Sequence, residues 1–436
     1  MEYCYIGAEK DYINNMRHCQ SVADAALKLM SCLVCGGVAV GIAQSCASRL
    51  CSAYGVICIS AEYSATASVC VDCGGVAVSR QSRAKSGATN LKLSEECYKI
   101  LSSAEGGSPL EITLQQLRSI EHISAPIAVK ASGGAFACAA FCAFFGGGFA
   151  DCAACFLTGF VACMLMFIAE GQTGEAALCF ITSVVGGALC IFFCTMAYKF
   201  GFDCNFRSVV YGSIMPVIPG LKLCGAIQNI MRGDIRYGAY SLINVLACAS
   251  AIAAGYALSV RIFSAEVPQY AENNVAPFYR LTASVCGALG FAVMFGAGLK
   301  RSVQGAFFAA LGYAVYLLSE NIGEFTALFA ASAVCSFAAM LSAHILKIPS
   351  AVFLIPAMVP LVPGAALYST AQSLIFGEMS AAQSGLIYSL RAFSSVAGGG
   401  VIAAVIINLS SKAVAVISKK LHFRASKRAA IPENKK

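Results

Sequence analysis

Tryptophan is missing from all 436 residues, and charged side chains make up only 12% of them. Without tryptophan, an interfacial aromatic belt has to rest on tyrosine and phenylalanine. So little charge excludes an ordinary soluble globular chain, in which charged residues are about 25%. Signatures of chemistry are missing too: the chain has no P-loop, dinucleotide fingerprint or nucleophile elbow. ATP-driven work would therefore need a partner. Ser, His and Asp residues are present but form no assignable catalytic set, so no enzyme activity, cofactor or nucleic-acid partner is expected. No signal-peptide pattern opens the chain, and the 23 cysteines do not read as a secreted disulfide framework. Many lie within apolar runs (Cys138, Cys142, Cys163, Cys179, Cys190, Cys248) as small polarisable hydrophobes. Two CxxC pairs, Cys32/Cys35 and Cys70/Cys73, resemble half zinc sites, but no His or Cys cluster of finger spacing completes them, and no metal is expected.

What the chain has is apolar surface: 58% hydrophobic residues and a mean hydropathy of +0.73. It is unevenly spread. Residues 1–129 hold more than their share of carboxylates and no clean run of membrane length; from Ile127 such runs follow one another. Spans need about 20 apolar residues, within roughly 17–25. Ten candidates fit, near 127–149, 152–169, 176–198, 208–224, 238–260, 277–298, 302–319, 323–343, 348–368 and 384–408.

One stretch occurs twice. Ile214 to Gly255 and Met358 to Gly399 align at a constant offset of 144 residues: Pro216 meets Pro360, Pro219 meets Pro363, Gly220 meets Gly364, Gln228 meets Gln372, Gly233 meets Gly377, Asp234 meets Glu378 and Gly255 meets Gly399. Shared composition would match apolar letters but not hold prolines, a glutamine and an acid in register, so the stretch reads as an internal duplication. Each copy leads through apolar residues into Pro-x-x-Pro-Gly, which breaks a helix. In lipid a broken helix survives only inside a bundle or beside a water-filled cavity, and matching breaks in two halves point to a transporter's binding site. The alternative is a pair of kinks that only shape the bundle.

Before the spans, helical spacing over Ser21–Tyr54 is interrupted at Gly36-Gly37, which predicts two helices or one broken one. Val56–Val78 reads as short strands. A basic connection over Ser79–Lys92, a helix over Leu93–Ala104 and a capping box at Ser108-Pro109-Leu110-Glu111 follow, the last opening a helix to about Ser124.

Basic loops set the orientation. The tail after Ser411 carries Lys412, Lys419, Lys420, Arg424, Lys427, Arg428, Lys435 and Lys436, which places it in the cytosol. Ten spans then bring the N-terminus to the same side, with Lys222, Arg232, Arg236, Lys300 and Arg301 cytosolic and Asp151, Glu320 and Glu324 outside. The loops with Lys199 and Arg207, and with Arg261 and Arg280, run against the rule. Five spans per half is an odd number, so the second half enters from the opposite face. The fold class expected is an α-helical polytopic plasma-membrane protein: ten transmembrane helices as two inverted five-span repeats with Pro-Gly-broken helices, plus a small α/β N-terminal cytosolic domain. The units are residues 1–126, 127–262, 277–410 and a basic tail, 411–436.

The chain resembles the threonine/serine exporter family in its fused form. The resemblance rests on Met215–Gly220 with Gly233-Asp234, on Pro349–Tyr368 (PSAVFLIPAMVPLVPGAALY) and on Phe145–Asp151 (FGGGFAD). The N-terminal match is weaker: Gly36–Gln44 stands where the family carries a small-residue turn and then Thr/Tyr-Arg-Val-Glu, and lacks that Arg and Glu. The resemblance implies export of threonine and serine and, from split two-chain relatives, of dicarboxylates such as succinate.

Candidates for the substrate or ion pathway are the breaks themselves (Pro216, Pro219, Gly220, Pro360, Pro363, Gly364) and polar residues at membrane depth, where ionisable groups are costly. Asp234 and Glu378 are matched acids, or else loop carboxylates. Gln228 and Gln372 offer donors and acceptors, or else end helices. Arg391 has the uncharged Ala247 as its counterpart and would meet a carboxylate. Asn244 would hydrogen-bond an amino acid. Asp151 is a proton site or a topology charge. The function expected is proton-coupled export of a small hydrophilic metabolite, an amino acid or dicarboxylate; a membrane-anchored enzyme and a channel are the alternatives. Its partners are the substrate, protons and the bilayer, and the architecture allows a homo-oligomer. Reporter fusions at Lys436 and Gln269 should report opposite sides of the membrane; the same side from both rules out the five-plus-five arrangement.

Overall fold

The computed structural model describes residues 2–64, 66–83, 89–120, 123–231, 235–263 and 275–429. The N-terminal elements are α1 (Glu2–Cys35), α2 (Val40–Ala53), β1 (Ile57–Tyr63), β2 (Thr66–Cys73), β3 (Val76–Arg83), α3 (Leu91–Glu105) and α4 (Leu110–Ser119). The expected break at Gly36-Gly37 separates α1 from α2. Gly37 takes a φ of +82°, and a Cβ on Gly36 would stand 2.5 Å from the Ser94 Cβ, so the turn lies hard against α3. The strands form an antiparallel sheet in the order β1-β2-β3. Ala67, Val69, Val71 and Cys73 alternate along β2 on the buried face, against α1.

Two local expectations are corrected. β3 continues to Arg83, so the first five residues of the connection expected over Ser79–Lys92 are strand, and pairing with Thr66–Cys73 satisfies their backbone. The capping box does not form: Pro109 is itself the N-cap, the Ser108 carbonyl accepts from the Tyr54 hydroxyl at 3.0 Å, and the helix ends at Ser119.

The remaining helices are α5 (Ile127–Phe144), α6 (Phe149–Ile168), α7 (Glu175–Lys199), α8 (Phe206–Ile214), α9 (Gly220–Met231), α10 (Ile235–Ile262), α11 (Pro277–Met294), α12 (Leu299–Ser319), α13 (Glu324–Leu346), α14 (Ala351–Met358), α15 (Gly364–Ile375) and α16 (Met379–Ala429). Among the described residues, eight are long and apolar enough to cross a membrane, and the pair Ala351–Leu361 and Gly364–Ile375, bent by 54°, passes as a ninth. The stretches expected as single spans at 208–224 and 348–368 are each two half-helices. α8 has nine residues, about 13 Å at 1.5 Å per residue, too short to cross alone.

The order of elements in α5–α10 recurs in α11–α16. Gly220 and Gly364 open α9 and α15, and Ile235 and Met379 open α10 and α16, each pair 144 residues apart. Packing recurs as well. A Cβ on Gly255 of α10 would stand 2.7 Å from the Phe180 carbonyl oxygen, 2.8 Å from the Ser183 Cβ and 3.1 Å from the Val184 nitrogen of α7. On Gly399 of α16 it would meet the Phe329 carbonyl oxygen at 2.5 Å, the Ala333 nitrogen at 2.8 Å and the Ser332 Cβ at 2.9 Å on α13. Between halves the contacts are exchanged: α9 packs on α16, and α15 on α10.

α5 and α11 cross through small residues, as close helix pairs in lipid do. A Cβ on Gly290 would lie 2.7 Å from both the Ala137 nitrogen and the Gly133 carbonyl oxygen, and one on Gly287 would strike Phe141 at 2.5 Å. These contacts run α5 antiparallel to α11; Gly134 against Cys163 and Gly159 against Cys138 run α6 antiparallel to α5. Ile127, Ile168 and Met294 therefore gather at one end of the bundle. The N-terminal elements sit on that end: the Leu91 amide donates to the Phe295 carbonyl at 2.8 Å, Arg301 pairs with Glu95 at 3.1 Å, and Gly37 meets Ile355.

Alanine at Gly255 or Gly399 should overpack these contacts, costing about 1–3 kcal/mol and lowering the melting temperature of the detergent-solubilised protein. Gly225→Ala, where nothing lies within 4 Å, should hold or raise it, because glycine inside a helix costs roughly 0.5–1 kcal/mol relative to alanine.

Candidate functional site

The site grows from the two breaks. After α8 the chain unwinds over residues 215–219, and α9 begins at Gly220. After α14 a short turn, Val359–Leu361, leads to Val362 and to Pro363, the N-cap of α15. Prolines at 216, 219, 360 and 363 remove the donors that would continue either helix. Ile218 and Val362 are themselves counterparts, 144 residues apart, and they cross. Val362 lies over Gly220, where a Cβ would stand 2.5 Å from its Cγ1. Ile218 lies over Gly364, where a Cβ would meet its Cγ2 at 3.4 Å and Cδ1 at 3.5 Å, with the Met215 Sδ at 3.6 Å. The structure thus brings Pro219-Gly220 and Pro363-Gly364 together. Both half-helices turn their amino ends, the positive ends of their dipoles, toward this contact.

Polar side chains gather around it. The Ser213 Oγ donates to the Val210 carbonyl at 3.0 Å and bonds the Tyr256 hydroxyl at 2.8 Å, with the Cys190 Sγ at 3.3 Å. Tyr256 meets Tyr368 edge-on at 5.7 Å, and Tyr211 meets Tyr368 at 6.1 Å, so three tyrosines join α8, α10 and α15. On the other side the Ser332 and Ser336 hydroxyls stand 3.7 and 3.6 Å from the Met358 Sδ, and a Cβ on Gly400 would stand 2.7 Å from the Gln228 Nε2.

The other candidates are scattered. Gln228 is half-buried against α16, and Gln372 is half-buried on α15. Asp234 lies outside the described residues, as do its neighbours Arg232 and Gly233. Glu378 is exposed in the turn before α16, where its Oε2 accepts from the Ser373 hydroxyl at 3.3 Å. Arg391 is exposed, its guanidinium 6.0 Å above the Phe325 ring near the start of α13. Asp151 is 3% exposed. Its Oδ2 accepts from the Gly148 amide and its Oδ1 from the Asn205 amide, both at 2.8 Å. It therefore caps α6 and ties that end to the start of α8, a role neither expected reading contained.

Sequence reasoning missed Glu175, the first residue of α7. Its Oε2 accepts from the Asn244 Nδ2 at 2.7 Å and its Oε1 pairs with the Lys222 ammonium. Glu324, the first residue of α13, accepts from the Tyr388 hydroxyl. These two acids are 149 residues apart, so an alignment held at 144 does not pair them.

Each CxxC pair lies beside a cysteine of another element. In the N-terminal unit burial, with Cys73 beside it, pushes the Cys19 thiol up to about 11. Cys32 lies beside Cys97, whose thiol that hydrogen bond and burial raise. Among the described residues no group of three or more His, Cys, Asp or Glu is placed to hold a metal ion.

Many apolar helices around a pair of touching broken helices define a multi-pass membrane protein. A family model described as "Putative threonine/serine exporter" matches residues 24–263, and a second, "Threonine/Serine exporter, ThrE", matches 280–407. The chain belongs to the threonine/serine exporter family. It is 25% identical over 332 residues to a protein of Corynebacterium glutamicum named threonine/serine exporter, a match spanning 71% of this chain and 66% of that protein, just under two thirds of the relative's length. No solved structure matches the chain.

Capping by Asp151 is testable against proton carriage. Asp151→Ala orphans two backbone donors and should cost about 1–3 kcal/mol each, read as a lower melting temperature. Asp151→Asn, which keeps an acceptor, should retain an unchanged pH profile of transport; a flattened profile marks a proton site instead.

Proposed function

We propose that this chain is a secondary exporter of small zwitterionic metabolites, threonine and serine first, working from the cytosol across the plasma membrane. Membership of the family supports a transport role. The observation that carries the reading is the crossing of Ile218 and Val362 over each other's glycines. Broken backbone at membrane depth needs protein, water or substrate as partner, and here two breaks meet. Amino ends of half-helices suit a carboxylate, and unwound carbonyls suit an ammonium. A zwitterionic amino acid carries both signs close together.

In this reading each broken pair is one crossing, which gives ten spans as two inverted repeats of five. The units are 1–126 in the cytosol, 127–262, 277–410 and the cytosolic tail 411–436. Exchanged packing of α9 on α16 and α15 on α10 supports the pseudo-two-fold axis, and alternating access follows from exchange of two similar conformations between the halves. The proton gradient supplies the energy, since the sequence contains no nucleotide-binding signature.

Cells with the protein should release labelled threonine and serine faster than cells without it, and a protonophore should abolish the difference. Gly220→Ala, which collides with Val362, should cut efflux about tenfold, the factor that ~1.4 kcal/mol of strain gives. Gly364→Ala meets its neighbours at ordinary contact distance and should stay near wild type. Equal efflux from both variants, each properly inserted, leaves the breaks as structural kinks.

A further inference from the structure

We propose that Glu175 and Glu324 are latches at opposite ends of the transport path, and that a zwitterionic amino acid opens the Glu175 latch by exchanging partners with Lys222. The proposal rests on the export reading and adds the residues that open and close it.

The two acids hold equivalent places. Each is the first residue of its helix, α7 or α13. Gly255 on Phe180 and Gly399 on Phe329 show that these helices correspond at an offset of 149, which is also the separation of Glu175 and Glu324. Their hydrogen-bond donors correspond too: Asn244 of α10 and Tyr388 of α16 are 144 residues apart. Equivalent helices are thus tied by equivalent carboxylates, although the donor changed from an amide to a phenol.

They lie at opposite ends of the bundle. Glu175 follows α6, whose last residue lies at the end that carries the N-terminal elements. α12 starts at that end, where Arg301 meets Glu95, and runs 21 residues away from it; Glu324 follows its far end.

The latches differ in what they hold. Glu175 joins α7 to α10 and, through Lys222, to α9, two residues beyond the break at Gly220. Lys222 has Ala366 as its counterpart, so nothing equivalent ties α15 to Glu324; Arg391 stands nearby over Phe325 instead. One half-helix is therefore held by an ion pair and the other is not. The pair is open to exchange, because the Glu175 side chain is 36% and the Lys222 side chain 52% exposed. Accessible ion pairs of this kind are weakly held. An amino acid brings both replacement charges at once: its ammonium for Glu175 and its carboxylate for Lys222. A dicarboxylate brings only one of the two.

Amide hydrogen exchange on the full chain in lipid nanodiscs tests the latch without relying on transport. Glu175→Gln and Lys222→Met should each speed exchange in α9 about threefold, the scale of an exposed ion pair, and leave α15 unchanged, and the double swap Glu175→Lys/Lys222→Glu should return α9 to the wild-type rate, as removal and restoration of one local closing contact predict. Threonine should loosen α9 in the wild type, and succinate should not. Unchanged α9 exchange in both single variants, no recovery in a monodisperse double swap, or equal effects of threonine and succinate would each overturn the latch. Flux of labelled threonine in proteoliposomes separates the two claims. A wild type that carries no threonine while Glu175→Gln loosens α9 sinks the export reading and the partner exchange but keeps the ion pair as a clamp. A wild type that exports, with Glu175→Gln changing neither flux nor exchange, sinks the latch alone.

Discussion

The rest of the structure depends on one contact: Val362 over Gly220 and Ile218 over Gly364, two broken helices filling each other's gaps. Backbone that leaves a helix among apolar neighbours has to be enclosed by protein. Neither half encloses its own break; each uses the apolar residue of the other. That requirement explains why α9 lies on α16 and α15 on α10, across the halves. It also explains the glycines of the α5–α11 crossing, since halves held apart by larger side chains would not bring the breaks within reach.

The two halves share a frame and differ in what fills it. In the first, Asp151 caps α6 and ties down the start of α8. Its counterpart 150 residues on is Arg301, which turns outward to Glu95 and anchors the N-terminal elements. Tyr211 of α8 joins the tyrosine chain edge-on, whereas its counterpart Ile355 on α14 packs against Gly37 of the N-terminal unit. At this pair of positions the first half adds to an aromatic chain that Tyr368 of the second half completes, and the second half supplies the docking surface for the N-terminal unit. A contact made to only one of two otherwise equivalent half-helices gives them different freedom to move.

Much of this was legible in the sequence because proline and glycine act locally. The duplicated Pro-x-x-Pro-Gly marked both breaks, Gly36-Gly37 marked the α1–α2 turn, and the apolar runs marked the long helices to within about five residues, except that α16 runs on past the expected end at 408 to Ala429. Roles that depend on distant partners were not legible. Asp151 is a cap because the Asn205 amide, 54 residues on, comes to it. Glu378 takes the Ser373 hydroxyl and Arg391 lies over the Phe325 ring, partners that position along the chain does not name. Glu175 was hidden by five residues of drift, from an offset of 144 to one of 149, between the parts of the repeat. Pro109 takes the N-cap because the turn before it is held by Tyr54, a contact no local motif encodes.

An experimental density map of the protein in a lipid nanodisc with threonine tests the central claim most directly. The account predicts ligand density between residues 215–220 and 359–364, its carboxylate within hydrogen-bonding distance of an amino end of α9 or α15. Density bound only away from both breaks, with Ile218 and Val362 still crossed, would contradict it.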